Sequence, residues 1–242
     1  MRNLRKKMVY IALPTDKVMR LSFYLSMEEY VARHLDAADY FFMWQVEPSV
    51  IFGRNQSLEN EVNMEYCRQR GIQVYRRKSG GGCVYADINN LMLSYITSDK
   101  NVGFVFNKFI GMILLVLRKL GVEAVSTAHN DVLIGGKKVS GSAFYHLPQA
   151  SIVHSTLLYD TDMENMMTAI TPSREKLQTK GIQSVRQRVT LLKDYVSLNM
   201  EELKTFIRGT LCDGERVLSD SEIAAVEKLE QTYLSDDFIH LL

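Results

Sequence analysis

The chain has 242 residues, 46% of them hydrophobic and 24% charged, the balance of a soluble globular protein long enough to bury a substantial core. Its 29 basic residues stand against 28 acidic ones, and a formal net charge of +1 excludes a protein built chiefly to neutralise nucleic-acid phosphates. Three widely separated cysteines, Cys67, Cys83 and Cys212, lack metal-ligand spacing and argue for reduced thiols in a cytoplasmic setting.

Near the start, the apolar run MVYIAL is interrupted by Pro14 and Asp16, too short for a signal sequence or a membrane span, so no membrane partner is expected. Phe23, Met27, Tyr30, Val31 and His34 recur at helical spacing and predict a helix over about residues 22–35. YFFMWQV and SVIFG, separated by Glu47-Pro48, are rich in aromatic and β-branched residues and read as strands. A short helix over 63–70 is closed by Gly71, and IQVYRR, CVYAD and NLMLSYIT read as three more strands.

FVFNKFIGMILLVLRKLGV is the longest apolar helical segment, closed by Gly121 and too interrupted by Asn107, Lys108 and Arg118 to span a bilayer. Gly135-Gly136 between apolar runs signals a hairpin, and ASIVHSTLLYD continues the sheet. TDMENMMTAI starts a helix at a Thr or Asp cap, and MEELKTFIRGTL and DSEIAAVEKLEQTYL form the last two helices. Helices at both ends with hairpin-rich strands between them predict an α+β (or α/β) domain with a mainly antiparallel or mixed sheet, flanked by helices. With no linker visible, residues 1–242 are expected to form a single domain, with a core over about 21–195 and a helical segment over about 196–242.

Three stretches carry candidate chemistry. In YRRKSGGGCVYAD a two-residue turn would need two glycines, so the third of Gly80, Gly81 and Gly82 is surplus to a plain hairpin and suits a backbone brought close to a ligand. Arg76, Arg77 and Ser79 fit an anionic ligand; the rival is an exposed hairpin tip with solvated arginines. No G-x-x-x-x-G-K-[ST] is present, which excludes a Walker-type loop. Cys83 beside the arginines is a candidate nucleophile or, equally, a small buried strand residue.

In HNDVLIGGKKVSGSAF, regular strand alternation places Lys138, Ser140 and Ser142 on one hydroxyl-rich face and Val139 and Ala143 on the other; two solvated turn lysines are the alternative. In TPSREKLQTKGIQSVRQRVTLL, five bases (Arg174, Lys176, Lys180, Arg186 and Arg188) meet one acid, Glu175. This basic patch lacks the interleaved aromatics of a nucleic-acid groove, and a loop over a nucleotide is the rival reading. The five histidines form no H-E-x-x-H and no C-x-x-C exists, so no zinc site is expected.

Taken in this order, RRKSGGGCVYAD, HNDVLIGGKKVSGSAF, VHSTLLYDTD and LQTKGIQSVRQRVTLL resemble the lipoate-protein ligase A family of the biotin/lipoate ligase superfamily, over about Leu21 to Leu192. The resemblance implies a class II aminoacyl-tRNA synthetase/biotin synthetase-like fold. It also implies ATP-dependent activation of lipoate, with octanoate tolerated, to an acyl-AMP with Mg²⁺ on the phosphates. Transfer would follow to a lysine on lipoyl domains of 2-oxoacid dehydrogenases or on the glycine-cleavage H protein.

By this resemblance Arg77 and Ser79 lie near the carboxyl and phosphate, and Gly80 to Gly82, Cys83, Val84 and Tyr85 run along the nucleotide. Lys138 is the catalytic lysine holding carboxylate and α-phosphate together, with Asn130, Asp131, Ser140, Gly141, Ser142 and Ala143 beside it. His154 sits by the acyl group, Lys180 and Arg186 belong to the adenylate-binding loop, and Trp44 is a candidate wall of an apolar slot. Cys83 and Ser155 replace the family's usual alanine and glycine. Longer ligases of the family continue into an accessory domain. Three alternatives therefore stay open: a lipoyl or octanoyl transferase of the same fold without adenylation, one chain of a two-chain ligase, and a non-catalytic binder. A cysteine-thioester amidotransferase is disfavoured, because no cysteine lies near His154 in sequence.

Overall fold

The computed structural model describes residues 8–128, 131–170 and 189–240. An eight-stranded mixed sheet is built from β1 (Met8–Ala12), β2 (Asp39–Trp44), β6 (Asn90–Thr97), β7 (Val125–Ser126), β8 (Asp131–Ile134), β9 (Lys137–His146), β10 (Ser151–Leu158) and β11 (Gly214–Val217), in the order β11-β1-β2-β6-β10-β9-β8-β7. Pairing is antiparallel from β2 to β7 and parallel on both sides of β1. A second sheet holds β3 (Ser49–Phe52) between β4 (Gln73–Arg76), which runs parallel to it, and β5 (Val84–Ala86), which runs antiparallel.

Helices cover both faces of the large sheet. On one side α1 (Leu21–His34) packs with α7 (Asp220–Leu234) over a core that includes Phe23, Met27, Phe42, Ile96 and Val226. On the other, α4 (Val102–Lys119) and α6 (Met200–Leu211) bury Phe109, Ile113, Leu117, Leu203 and Ile207 against Phe41, Leu93, Tyr95 and Val153. The small sheet has its own cluster, in which Val50, Phe52 and Tyr85 meet Cys67 of α3 (Met64–Arg70) and Met166 and Ala169 of α5 (Met163–Ala169). Two one-turn helices complete the described set, α2 (Leu58–Glu61) and α8 (Asp236–Ile239).

Local chemistry explains the boundaries. Asn63, Asn101 and Asp162 each accept the third helical N–H at the start of α3, α4 and α5, and Gly71 ends α3 at φ 65°. Asn199 with Glu202 and Ser219 with Glu222 form capping boxes on α6 and α7. Gly135 and Gly136, at φ 55° and 78°, make the expected β8–β9 hairpin. Among the described residues no helix is long and apolar enough to cross a membrane.

Two elements differ from expectation. β1 and β11 lack a clear alternating pattern and form as an added parallel edge. More consequentially, β4 and β5 do not pair as a hairpin: β3 lies between them, so the glycine segment is a crossover that passes the end of β3.

Phe109 is fully buried and stacks 6.2 Å from the ring of Tyr95. Phe109→Ala is expected to lower the unfolding free energy by about 3–5 kcal/mol, read from denaturant midpoints at unchanged slope.

Candidate active site

The crossover from Arg77 to Cys83 is organised around one buried guanidinium. Arg77, 4% exposed, donates from Nη1 to the carbonyl of Ile51 at 3.0 Å, from Nε and Nη2 to that of Gly80 at 3.2 and 2.7 Å, and from Nη2 to that of Gly82 at 2.6 Å. Burial without a carboxylate partner among the described residues pulls its pKa down to about 10. A trans peptide directs its N–H opposite to its C=O. Drawing the carbonyls of Gly80 and Gly82 inward therefore turns the N–H groups of Gly81 and Cys83 away from the guanidinium. Neither N–H has a backbone acceptor among the described residues, and Gly81 is held at φ 91°. The result is two donors, on alternate residues of the cavity wall, turned away from the guanidinium.

The loop is seated closely on β3. Arg77 N–H donates to the carbonyl of Phe52 and Arg54 N–H to that of Ser79, both at 3.0 Å. Gly53 lets this happen, because a Cβ there would stand 2.5 Å from the carbonyl oxygen of Gly81. Beneath the loop, Arg76 crosses the ring of Phe52 and donates to the carbonyls of Arg54, Gln56 and Ile239, the last in α8. Lys78 turns outward to Glu29 at 2.6 Å, over the rings of Tyr233 and Phe238, so the C-terminal helices clasp the loop from outside.

Between this loop and the large sheet lies a cavity of about 220 Å³. One wall is Arg77, Gly81, Gly82, Cys83 and Val84; the facing wall is Asp131, Lys138, Gly141, Ser142, Ala143 and His154; Leu25, Trp44, Ile51 and Met92 make an apolar end. Trp44 is stacked on Tyr24 with ring centroids 4.9 Å apart and donates to Ser94 Oγ at 2.8 Å.

A register shift against Val132/Leu133 makes Val139 an extra residue in β9. Alternation is broken there, so Lys138 shares the cavity face with Gly141 and Ala143, while Ser140 is fully buried across the sheet from it. The regular parity expected from the sequence is corrected by this bulge: Ser140 leaves the face of Lys138, although Ser142 still borders the cavity. Lys138 Nζ is 2.8 Å from Asp131 and lies over Gly141, where a Cβ would stand 2.5 Å from both Cε and Nζ.

His154 connects the two walls. Its Nε2 is 2.8 Å from Ser79 Oγ, and its Nδ1 is 2.9 Å from Oε2 of Glu28, a residue of α1 that is 3% exposed. Glu28 also accepts from Ser94 Oγ at 2.5 Å. Sequence reasoning missed Glu28, Gly53 and Ser94. For Glu28 the available signal was an acidic pair, Glu28-Glu29, set in the run LSFYLSMEEYVA, which leaves the helix no polar face.

Other assignments shift. Tyr85 points into the small-sheet cluster, 1% exposed, and Ser79 stands behind the cavity wall, bound to His154. Asn130, Lys180 and Arg186 lie outside the described residues; the flanking Ile170 and Val189 bridge to Val62 and Lys138. Burial pushes the Cys83 thiol up to about 12, against the opposing pull of Arg77, and Cys212 also up to about 12; burial raises Cys67 as well. None is an activated nucleophile.

Cys83 should therefore resist iodoacetamide at pH 8 in the folded protein and react on unfolding, as followed by mass spectrometry. Gly53→Ala is expected to lose about 1–3 kcal/mol of stability, because backbone must move to admit the methyl; a denaturant titration reads it.

Comparison with known proteins places this geometry. Residues 21–211 match the lipoyl protein ligase A/B catalytic domain. The chain is 36% identical to lipoate-protein ligase LplJ of Bacillus subtilis (strain 168), over 84% of this chain and 63% of that protein. It is 38% identical to lipoate–protein ligase 1 of Staphylococcus aureus (strain Mu50 / ATCC 700699), over 85% and 65%. It thus spans less than two thirds of the length of these curated relatives. Among solved structures, a chain from the archaeal lipoylation system of Thermoplasma acidophilum, described as a bi-partite lipoate protein ligase and its E2 lipoyl domain, superposes with a TM-score of 0.82 at 24% identity, covering 97% of this chain and 96% of that one. A lipoate-protein ligase A bound with ATP gives 0.79 at 23% identity, covering 98% and 99%. At those identities the structural likeness shows the fold, and the family match adds descent: the chain belongs to the lipoyl protein ligase A/B catalytic-domain family.

Proposed function

We propose that this protein condenses lipoate with ATP to lipoyl-AMP and pyrophosphate, then passes the lipoyl group to a lysine of a lipoyl domain. The supporting observation is the cavity itself, which sets Arg77 and Lys138 on opposite walls and closes on the apolar end formed by Leu25, Trp44, Ile51 and Met92. The names of the curated relatives and the lipoyl-domain and ATP descriptions of the solved structures support the same substrates.

A carboxylate is a poor electrophile, and activation brings it against a phosphate of the same sign. Lys138 lowers that repulsion by leaving Asp131 for the two anions, while Arg77 supplies a fixed positive field and the N–H groups of Gly81 and Cys83 take phosphate oxygens. Asn130, Lys180 and Arg186 contribute to the adenylate side of the same proposal. Asp131 is the cavity carboxylate that would hold Mg²⁺ together with the phosphates, a donor set that suits this ion. Bound there, the ion would neutralise phosphate charge.

The four methylenes of the lipoyl tail contribute roughly 3 kcal/mol on burial against the apolar end, which suits octanoate too. An H protein is an alternative acceptor, the single-domain organisation and a cytoplasmic setting belong to the same reading, and Cys83 acts as a packed substitute for alanine.

A second reading is favoured by the 96% coverage of the Thermoplasma chain, whose ligase is described as bi-partite: this chain is then the catalytic part that acts with another. Lipoate-dependent ATP–pyrophosphate exchange separates the two. The main reading expects exchange by the purified chain; its absence, with preformed lipoyl-AMP still consumed, selects the second. Lys138→Ala should reduce exchange by about 100-fold. Gly141→Ala should reduce it about tenfold with the unfolding midpoint unchanged, since the methyl displaces a flexible ammonium and no backbone. Full exchange in Lys138→Ala overturns the residue assignment.

A further inference from the structure

Acyl transfer, the second half of the proposed reaction and the reading on which this inference rests, has an unmet requirement. An acceptor lysine reaches the cavity as an ammonium; at a pKa of ~10.4 only about 0.04% is neutral at pH 7. The amide product keeps one N–H, so two protons must leave the nitrogen.

The buried chain behind the cavity supplies an acceptor. Glu28 receives hydrogen bonds from Ser94 Oγ and from His154 Nδ1, and as a carboxylate it can only accept. Nδ1 therefore carries the proton, and the lone pair of Nε2 faces Ser79, whose hydroxyl donates to it at 2.8 Å. His154 lines the cavity. The charged and titratable groups around it are Glu28 from α1, Arg77 and Cys83 from the glycine loop, and Lys138 with Asp131 from β9 and β8. Glu29, next to Glu28, is taken by Lys78, Arg33 and Tyr233.

We propose that His154 is the base for acyl transfer and that Glu28 is its positioning residue. With the adenylate bound, the Ser79 hydroxyl rotates off Nε2 and leaves it open. Nε2 takes one proton from the acceptor ammonium. The nitrogen lone pair forms the N–C bond, the bond from the acyl carbon to the phosphate oxygen breaks with its electron pair on AMP, and the second N–H proton passes to solvent.

The test uses single turnovers of protein-bound lipoyl-AMP with two acceptors: a lipoyl domain, whose lysine must be deprotonated, and hydroxylamine, which is neutral at pH 7 and needs no base. The wild-type rate on the lipoyl domain should be flat between about pH 7.5 and 9. In His154→Gln and Glu28→Gln it should fall at least tenfold at pH 7.5 and rise roughly tenfold per pH unit, following the neutral amine. Both variants should lose less than about threefold on hydroxylamine, which also reports that the adenylate is still correctly held. Equal losses on both acceptors, or a wild-type rate that itself climbs tenfold per pH unit, overturn the inference. Failure of the wild type to transfer from lipoyl-AMP to either acceptor overturns the parent reading, and the inference with it.

Discussion

A single cation enclosed by backbone carbonyls sets the geometry on which the site depends. Arg77 is buried among the carbonyls of Ile51, Gly80 and Gly82, and the desolvation it suffers is offset by charge-assisted hydrogen bonds. One contact, to Ile51, ties the guanidinium to β3, three more to Gly80 and Gly82 fold the crossover around it, and peptide planarity converts that inward pull into donors on the far side. Within the glycine run the demand falls on Gly81, which is held at φ 91° with a Cβ position 3.1 Å from Arg77 Nη2, while Cβ atoms at Gly80 and Gly82 would meet nothing within 4 Å. The close approach to protein is made at Gly53, where a Cβ would stand 2.5 Å from the carbonyl oxygen of Gly81.

Elements made by local chemistry were legible in the sequence: the Gly71 stop of α3, the Asp162 cap of α5, the Gly135-Gly136 hairpin, and the long strands β6 and β10. Features decided by distant pairing were not. Nothing in YRRKSGGGCVYAD reveals that β3 separates its two strands, because that depends on a partner some twenty residues upstream. Val139 looks like any strand valine, yet as a bulge it decides which residues share a face with Lys138. Arg77 was singled out by its motif and does line the cavity, but its carbonyl partners leave no mark in a sequence.

The site divides its charges by mobility. Arg77 is fixed by carbonyls on the inside of the crossover, whereas Lys138, with a side chain 38% exposed and Asp131 as its one ion-pair partner among the described residues, is free to swing within the cavity. Glu28 and His154 sit between these extremes, each tied at both ends by hydrogen bonds across α1, β6, β10 and the glycine crossover. The apolar end of the cavity is wired to the same network, because Trp44 donates to Ser94, whose hydroxyl donates to Glu28.

The clasp formed by α7 and α8 bears on how the protein is made. Ser22 and Arg20 at the start of α1 are bonded to Glu230, Lys78 lies against Tyr233 and Phe238, and Arg76 reaches the carbonyl of Ile239. Synthesis proceeds from the N-terminus at about 5–20 residues per second, so the signature segment is complete well before the helices that steady it exist. A nascent chain at the ribosome therefore carries every residue of the cavity wall without its outer support. The outer support of that wall forms only once α7 and α8 have been made.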